Sequence, residues 1–122
     1  MQPSPQDLPP EAQSMLQELQ EQKQELQQIA EQKNRFQAKN NSIQEGLNAL
    51  EEASGDAETF KVAGPVVIKS GKNDLENELS DKKEELNARI KSLESKQKEI
   101  EEEAREKQNK LRQMLSGGPE MG

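Results

Sequence analysis

The sequence predicts a mostly α chain: a long antiparallel coiled-coil helical hairpin with one central β-hairpin. Three observations predict it. Apolar residues recur in alternating steps of three and four along two long segments. A short Val-rich stretch broken by Gly-Pro separates those segments. The remaining positions are overwhelmingly polar. Of 122 residues, 29% are apolar and 34% are charged, too hydrophilic a mixture for a compact globule to offset the cost of ordering its backbone. A narrow seam between two helices needs fewer apolar side chains, and sustained periodicity argues against disorder.

Taken in order, Met1 to Leu8 read as a short tail within a single domain spanning 1–122. Helix 1 is expected over 9–54. Asp7, Pro9, Pro10 and Glu11 form its start, with Pro near the first helical position and acids beside the N-terminus. Its seam is Ala12, Met15, Leu19, Gln22, Leu26, Ile29, Lys33, Phe36, Asn40, Ile43, Leu47 and Leu50. Asn40 and Lys33 in that seam read as register-setting residues. The Gln-rich composition of this segment still carries heptads, so helix outweighs low complexity. The helix is expected to stop near Ala53-Ser54-Gly55, with Gly55 as its C-terminal residue.

Residues 56–72 form the linker. Thr59 to Ala63 reads as one strand, Gly64-Pro65 as a turn and Val66 to Lys69 as a second strand. Phe60, Val62, Val66 and Ile68 sit at alternating positions, but Gly64-Pro65 leaves the pairing register open. Helix 2 is expected over 73–116, opened by Asn73 as cap with Glu76 reaching back. Its seam is Leu79, Lys83, Leu86, Ile90, Leu93, Gln97, Ile100, Ala104, Lys107, Leu111 and Met114. Glu78 to Lys82, Glu85 to Arg89, Glu103 to Lys107 and Glu106 to Lys110 have the favourable four-residue order. Ser116-Gly117-Gly118-Pro119 is the stop, and 117–122 reads as a flexible tail. Each helix of about 40 residues would be roughly 60 Å long.

The short linker makes the helices antiparallel neighbours. One register uses both seams fully, with facing residue numbers adding to 126: Leu47 with Leu79, Phe36 with Ile90, Leu26 with Ile100, Met15 with Leu111. It places no polar seam residue opposite another. A slip of one heptad, to a sum of 119, would oppose Gln22 to Gln97.

Composition also removes function classes. The chain has no Cys, His, Trp or Tyr, so thiol, imidazole and phenol chemistry and any Cys/His metal site are absent. With no nucleophile–base pair, Gly-rich phosphate loop or metal cluster, no enzyme activity, metal or cofactor is expected. The acidic run from Glu99 to Glu103 reads as a solvated helix face. A formal net charge of −7, mixed in sign along both helices, speaks against nucleic acid. No stretch is apolar enough for a membrane, and the first residues show no secretory pattern, so a cytoplasmic protein is expected.

The linker sequence Phe60-Lys61-Val62-Ala63-Gly64-Pro65-Val66-Val67-Ile68-Lys69, flanked by heptads, resembles the β-type subunits of the prefoldin family. The α-type has two hairpins between its helices, and 56–72 has room for one. The resemblance implies a hexamer of two α-type and four β-type subunits, joined by their hairpins, with helical arms that capture non-native proteins without ATP. Those clients would pass to a group II chaperonin. In archaeal members a region comparable to 117–122 meets the chaperonin. A lone two-stranded hairpin is marginal in water and its open edges invite pairing, so Phe60, Val62, Val66, Val67 and Ile68 are the expected oligomerisation residues. By analogy the client-binding residues are Leu8, Met15, Leu16 and Leu19 on helix 1 with Leu111, Met114 and Leu115 on helix 2. Met15, Leu19, Leu111 and Met114 also fit an ordinary seam, whereas Leu16 and Leu115 lie beside it. Polar Gln22 and Lys107 nearby favour a loose end. The competing reading is a structural coiled-coil scaffold or tether with no chaperone activity, which has no account of a hairpin at the midpoint.

Overall fold

A computed structural model describes residues 8–116; readings that fall on 1–7 and on the tail 117–122 lie outside them. The order is α1 (Pro10–Glu52), β1 (Phe60–Ala63), β2 (Val66–Lys69) and α2 (Lys72–Leu115). Two compact units divide the described residues: 8–32 with 93–116, and Lys33–Ser92.

All twelve α1 seam positions and all eleven α2 seam positions are buried or half-buried, so the three-four rhythm marks the covered stripe of each helix, apolar except at Gln22, Lys33 and Asn40 on α1 and Lys83, Gln97 and Lys107 on α2. Register can be read inside each unit. In the first, Met15 and Leu111 share a core cluster with Ala12, and Gln22 Nε2 donates to Glu103 Oε1 at 3.2 Å. In the second, Asn40 Nδ2 donates to Asn87 Oδ1 at 2.5 Å, Lys83 hydrogen-bonds Gln44, and the Arg89 guanidinium lies 5.9 Å from the Phe36 ring centre. These pairs cluster about a sum of 126 and exclude the slipped register.

The helix ends depart from expectation. Gly55 does not cap α1, because among the described residues Gly64 alone has positive φ. The Lys72 ammonium takes that part by donating to Ala53 O at 3.2 Å, placing a cation on the orphan carbonyls of a helix whose last turn has no basic residue. The start of α2 lies at Lys72, one residue before the expected position: Leu75 N–H donates to Gly71 O at 3.0 Å. Asn73 is thus inside the first turn rather than its cap, beside Asp74, whose charge suits the helix N-terminus.

The strands pair antiparallel as Phe60↔Lys69, Lys61↔Ile68, Val62↔Val67 and Ala63↔Val66. The loop is Gly64-Pro65 alone. Gly64 has φ +58° and Pro fixes a negative φ after it, the sign pattern of a type II′ hairpin turn. Ser70 N–H donates to Thr59 O at 2.9 Å and the Thr59 hydroxyl donates to Ser70 O, which closes the neck where the hairpin leaves the helices.

Candidate functional site

Two groups of residues follow from the sequence, and each gathers in one place. The first lies where α1 begins and α2 ends. Ala12, Met15 and Leu111 form a buried cluster against which Leu8, Leu19 and Met114 pack, half-covered. Leu16 and Leu115 remain outside it, 38% and 49% exposed, because positions beside an a/d seam project past the partner helix. The local start of α1 fixes this arrangement: Gln13 N–H donates to Pro9 O at 3.0 Å and Gln13 Nε2 to Leu8 O at 2.9 Å, so Leu8 is held over the cluster.

A groove of about 830 Å³ runs beside Leu16. Its apolar lining is Leu16, Leu19, Leu26 and Ala104, with Gln13, Gln17, Gln20, Gln108 and Lys23 as the remainder. Sequence reasoning left Leu26 and Ala104 out of the site; their seam positions next to Leu19 were the signal. Below the cluster the seam turns polar. Gln22 is 9% exposed and its Oε1 is buried without a hydrogen-bond partner. Lys107 pairs with Glu18 at 3.8 Å, leaving the expected in-helix pair with Glu103 for an inter-helix one.

The second group is the hairpin. Phe60, Val62, Val66, Val67 and Ile68 are 51%, 73%, 52%, 64% and 52% exposed. Facing residues share a face and alternate residues share a side. Phe60, Val62 and Val67 therefore occupy one face with Lys69, while Ala63, Val66 and Ile68 occupy the other with Lys61. Both faces are apolar, and both are open. Since Thr59 and Ser70 form a hydrogen-bonded pair, alternation points the backbone polar groups of Phe60, Val62, Val67 and Lys69 outward along the free edges.

An ion pair ties the hairpin to α2: Lys61 Nζ lies 2.5 Å from Glu78 Oε1, beside a groove that Phe60 and Val62 line together with Leu75 and Leu79. The hydrogen bond from Lys61 holds the Glu78 carboxyl below the usual carboxylate range, against some desolvation and with help from the charges of Lys61 and Lys82. The sequence pointed Glu78 at Lys82 instead; a strand-to-helix pair has no signature in helical spacing. Among the described residues no group of three or more His, Cys, Asp or Glu is placed to hold a metal, and no helix is long and apolar enough to cross a membrane.

The prefoldin subunit family model matches residues 13–118. The chain belongs to the prefoldin subunit family. The crystal structure of the prefoldin beta subunit from Thermococcus strain KS-1 superposes with a TM-score of 0.83 at 30% identity, over 90% of this chain and 96% of that one. No curated protein matches the sequence significantly. The single hairpin and this likeness bear out the β-type resemblance. Prefoldins are chaperones rather than enzymes, and they assemble with other prefoldin subunits.

Proposed function

We propose that this prefoldin subunit captures non-native proteins, without ATP, through Leu8, Met15, Leu16, Leu19, Leu111, Met114 and Leu115, and passes them to a group II chaperonin. It does so in the cytoplasm, as a β-type chain in a hexamer of two α-type and four β-type subunits joined through Phe60, Val62, Val66, Val67 and Ile68. The observation that carries the capture site is the exposure of Leu16 and Leu115 beside a cluster that buries Met15 and Leu111. Apolar surface is thus presented at once, and more lies directly behind it. An unfolded client offers apolar segments of no fixed shape. Methionine suits such a surface because its side chain is flexible and polarisable. Single contacts are weak, and several arms of one assembly add them through effective concentration.

The test dilutes a denatured client into buffer and follows aggregation by light scattering. Changing Leu16, Met114 and Leu115 together to Ser abolishes protection while the assembly stays intact. Full protection by that variant, with its oligomeric state confirmed, would place client binding elsewhere.

A further inference from the structure

With no Cys, His, Trp or Tyr, the chain has four methionines as its readily oxidised side chains. The two among the described residues, Met15 and Met114, gather at the end where α1 begins and α2 ends. They are covered unequally. Met15 is 9% exposed inside the cluster with Ala12 and Leu111. Met114, the last seam residue of α2, is half-buried and packs against that cluster. In the register that pairs Met15 with Leu111, Met114 lies opposite Ala12. Ala12 is 0% exposed, and a methyl group is too small to fill a coiled-coil layer, so the longer Met114 side chain supplies much of it. That layer stands between Met15 and the open end of the coil, with Leu8 packed beside it.

We propose that Met114 is a peroxide-modification site that guards Met15: its sulfoxide leaves the end layer, and Met15, then in the outermost layer, is the second residue oxidised. The sulfur lone pair of Met114 takes one oxygen of hydrogen peroxide and the O–O bond breaks. The departing hydroxide leaves as water with the proton of the transferred oxygen. Sulfur is oxidised by two electrons to the sulfoxide, and the peroxide is reduced by two. The new oxygen is a strong acceptor among methyl and methylene groups that offer it no donor, so burial there is unfavourable. Met114 is the last residue but one of α2, and its side chain can turn to water with little else displaced. Sulfoxide reductases reverse the step, so the layer can close again. Nothing in this depends on client capture.

The test treats the full chain with hydrogen peroxide and follows each methionine by peptide mass spectrometry. Met114 is oxidised about five-fold or more faster than Met15, whose oxidation starts slowly and accelerates as Met114 sulfoxide accumulates. Met114→Leu keeps the layer apolar and holds Met15 at its initial slow rate throughout. Met114→Gln puts a permanent polar acceptor in the layer and raises the Met15 rate about three-fold or more from the start. Circular dichroism checks that the helices of both variants persist. The wild-type time course and Met114→Leu decide the matter without the Gln variant, should that one unfold. Met15 oxidised as fast as Met114, or a Met15 rate that accelerates equally in Met114→Leu, overturns the inference. A folded Met114→Gln chain whose Met15 stays as slow as in Met114→Leu overturns it too.

Discussion

Replacing Gln22 with Leu should stabilise the helix pair. Gln22 is 9% exposed, and its Oε1 meets no donor. An unsatisfied buried carbonyl costs about 1–3 kcal/mol. Leu removes that cost and adds apolar burial worth about 1 kcal/mol beyond the Gln stem already in the seam. Against this stands the loss of the 3.2 Å bond from Nε2 to Glu103. Glu103 is exposed and takes up water in exchange, so that loss is about 1 kcal/mol. The balance favours Leu by about 1–3 kcal/mol, a rise in Tm of about 4–12 °C for a chain of this size. Thermal unfolding followed by circular dichroism measures it, and amide exchange across residues 12–22 should slow in parallel. Gln22→Glu is the opposing control: a second carboxylate against Glu103 lowers Tm. A Leu variant that melts at or below the original temperature would refute the argument, because the buried Oε1 would then carry no penalty.

Other expectations follow from the same geometry. Cysteines at 36 and 90 should crosslink within one chain, and cysteines at 36 and 83 should not; preference for the latter pair on a non-reducing gel would mean a slipped seam. Val67→Lys with Ile68→Glu charges both hairpin faces, so ultracentrifugation should find free subunits whose helices circular dichroism still detects; a persisting assembly would remove the hairpin as its joint. Glu78, held below the usual carboxylate range by Lys61, should show a lowered titration midpoint by carbon-13 NMR. The sign follows from a depressed folded-state pKa: the pair contributes above the ordinary glutamate range, and its contribution disappears as pH falls through the lowered value. Lys61→Met should return the midpoint upward, and no movement would show that another group causes the shift. Val62→Pro removes an outward-facing N–H and should leave the lone hairpin paired, whereas Lys61→Pro removes an inward one and should open it; equal effects by backbone NMR would contradict the assigned edges.

The seam was legible because a coiled coil writes its burial directly into spacing, and Ala12 through Met114 needed no other information. The register was legible too, since only one alignment uses both stripes. Facing pairs treat side chains as points, however, and long polar ones do not behave so. Gln22 reaches Glu103 rather than resting on Ala104, and Asn40 reaches Asn87 beside Leu86. The hairpin faces needed the turn. Once the loop is limited to Gly64-Pro65, parity puts Phe60 and Val62 opposite in face to Val66 and Ile68. Gly55 misled because a glycine after a helix permits a left-handed cap without requiring one, and Lys72 satisfies Ala53 from a distance in sequence. Leu16 and Leu115 were found as off-seam leucines; the groove continuing to Leu26 and Ala104 depends on shape, which spacing does not encode.

The open position of Phe60 has a spectroscopic consequence. The chain contains no Trp and no Tyr, so it is nearly dark in the near ultraviolet. Phe60 is 51% exposed on a hairpin face beside Val67. A Trp at position 60 would be the chain's sole indole, reporting from the spot where another hairpin is proposed to settle. Its emission would be that of a wet ring in the free subunit and would move to shorter wavelength once the face is covered. Subunit exchange could then be timed by fluorescence without any dye, and the same signal would separate events at the hairpin from client capture at Leu16 and Leu115.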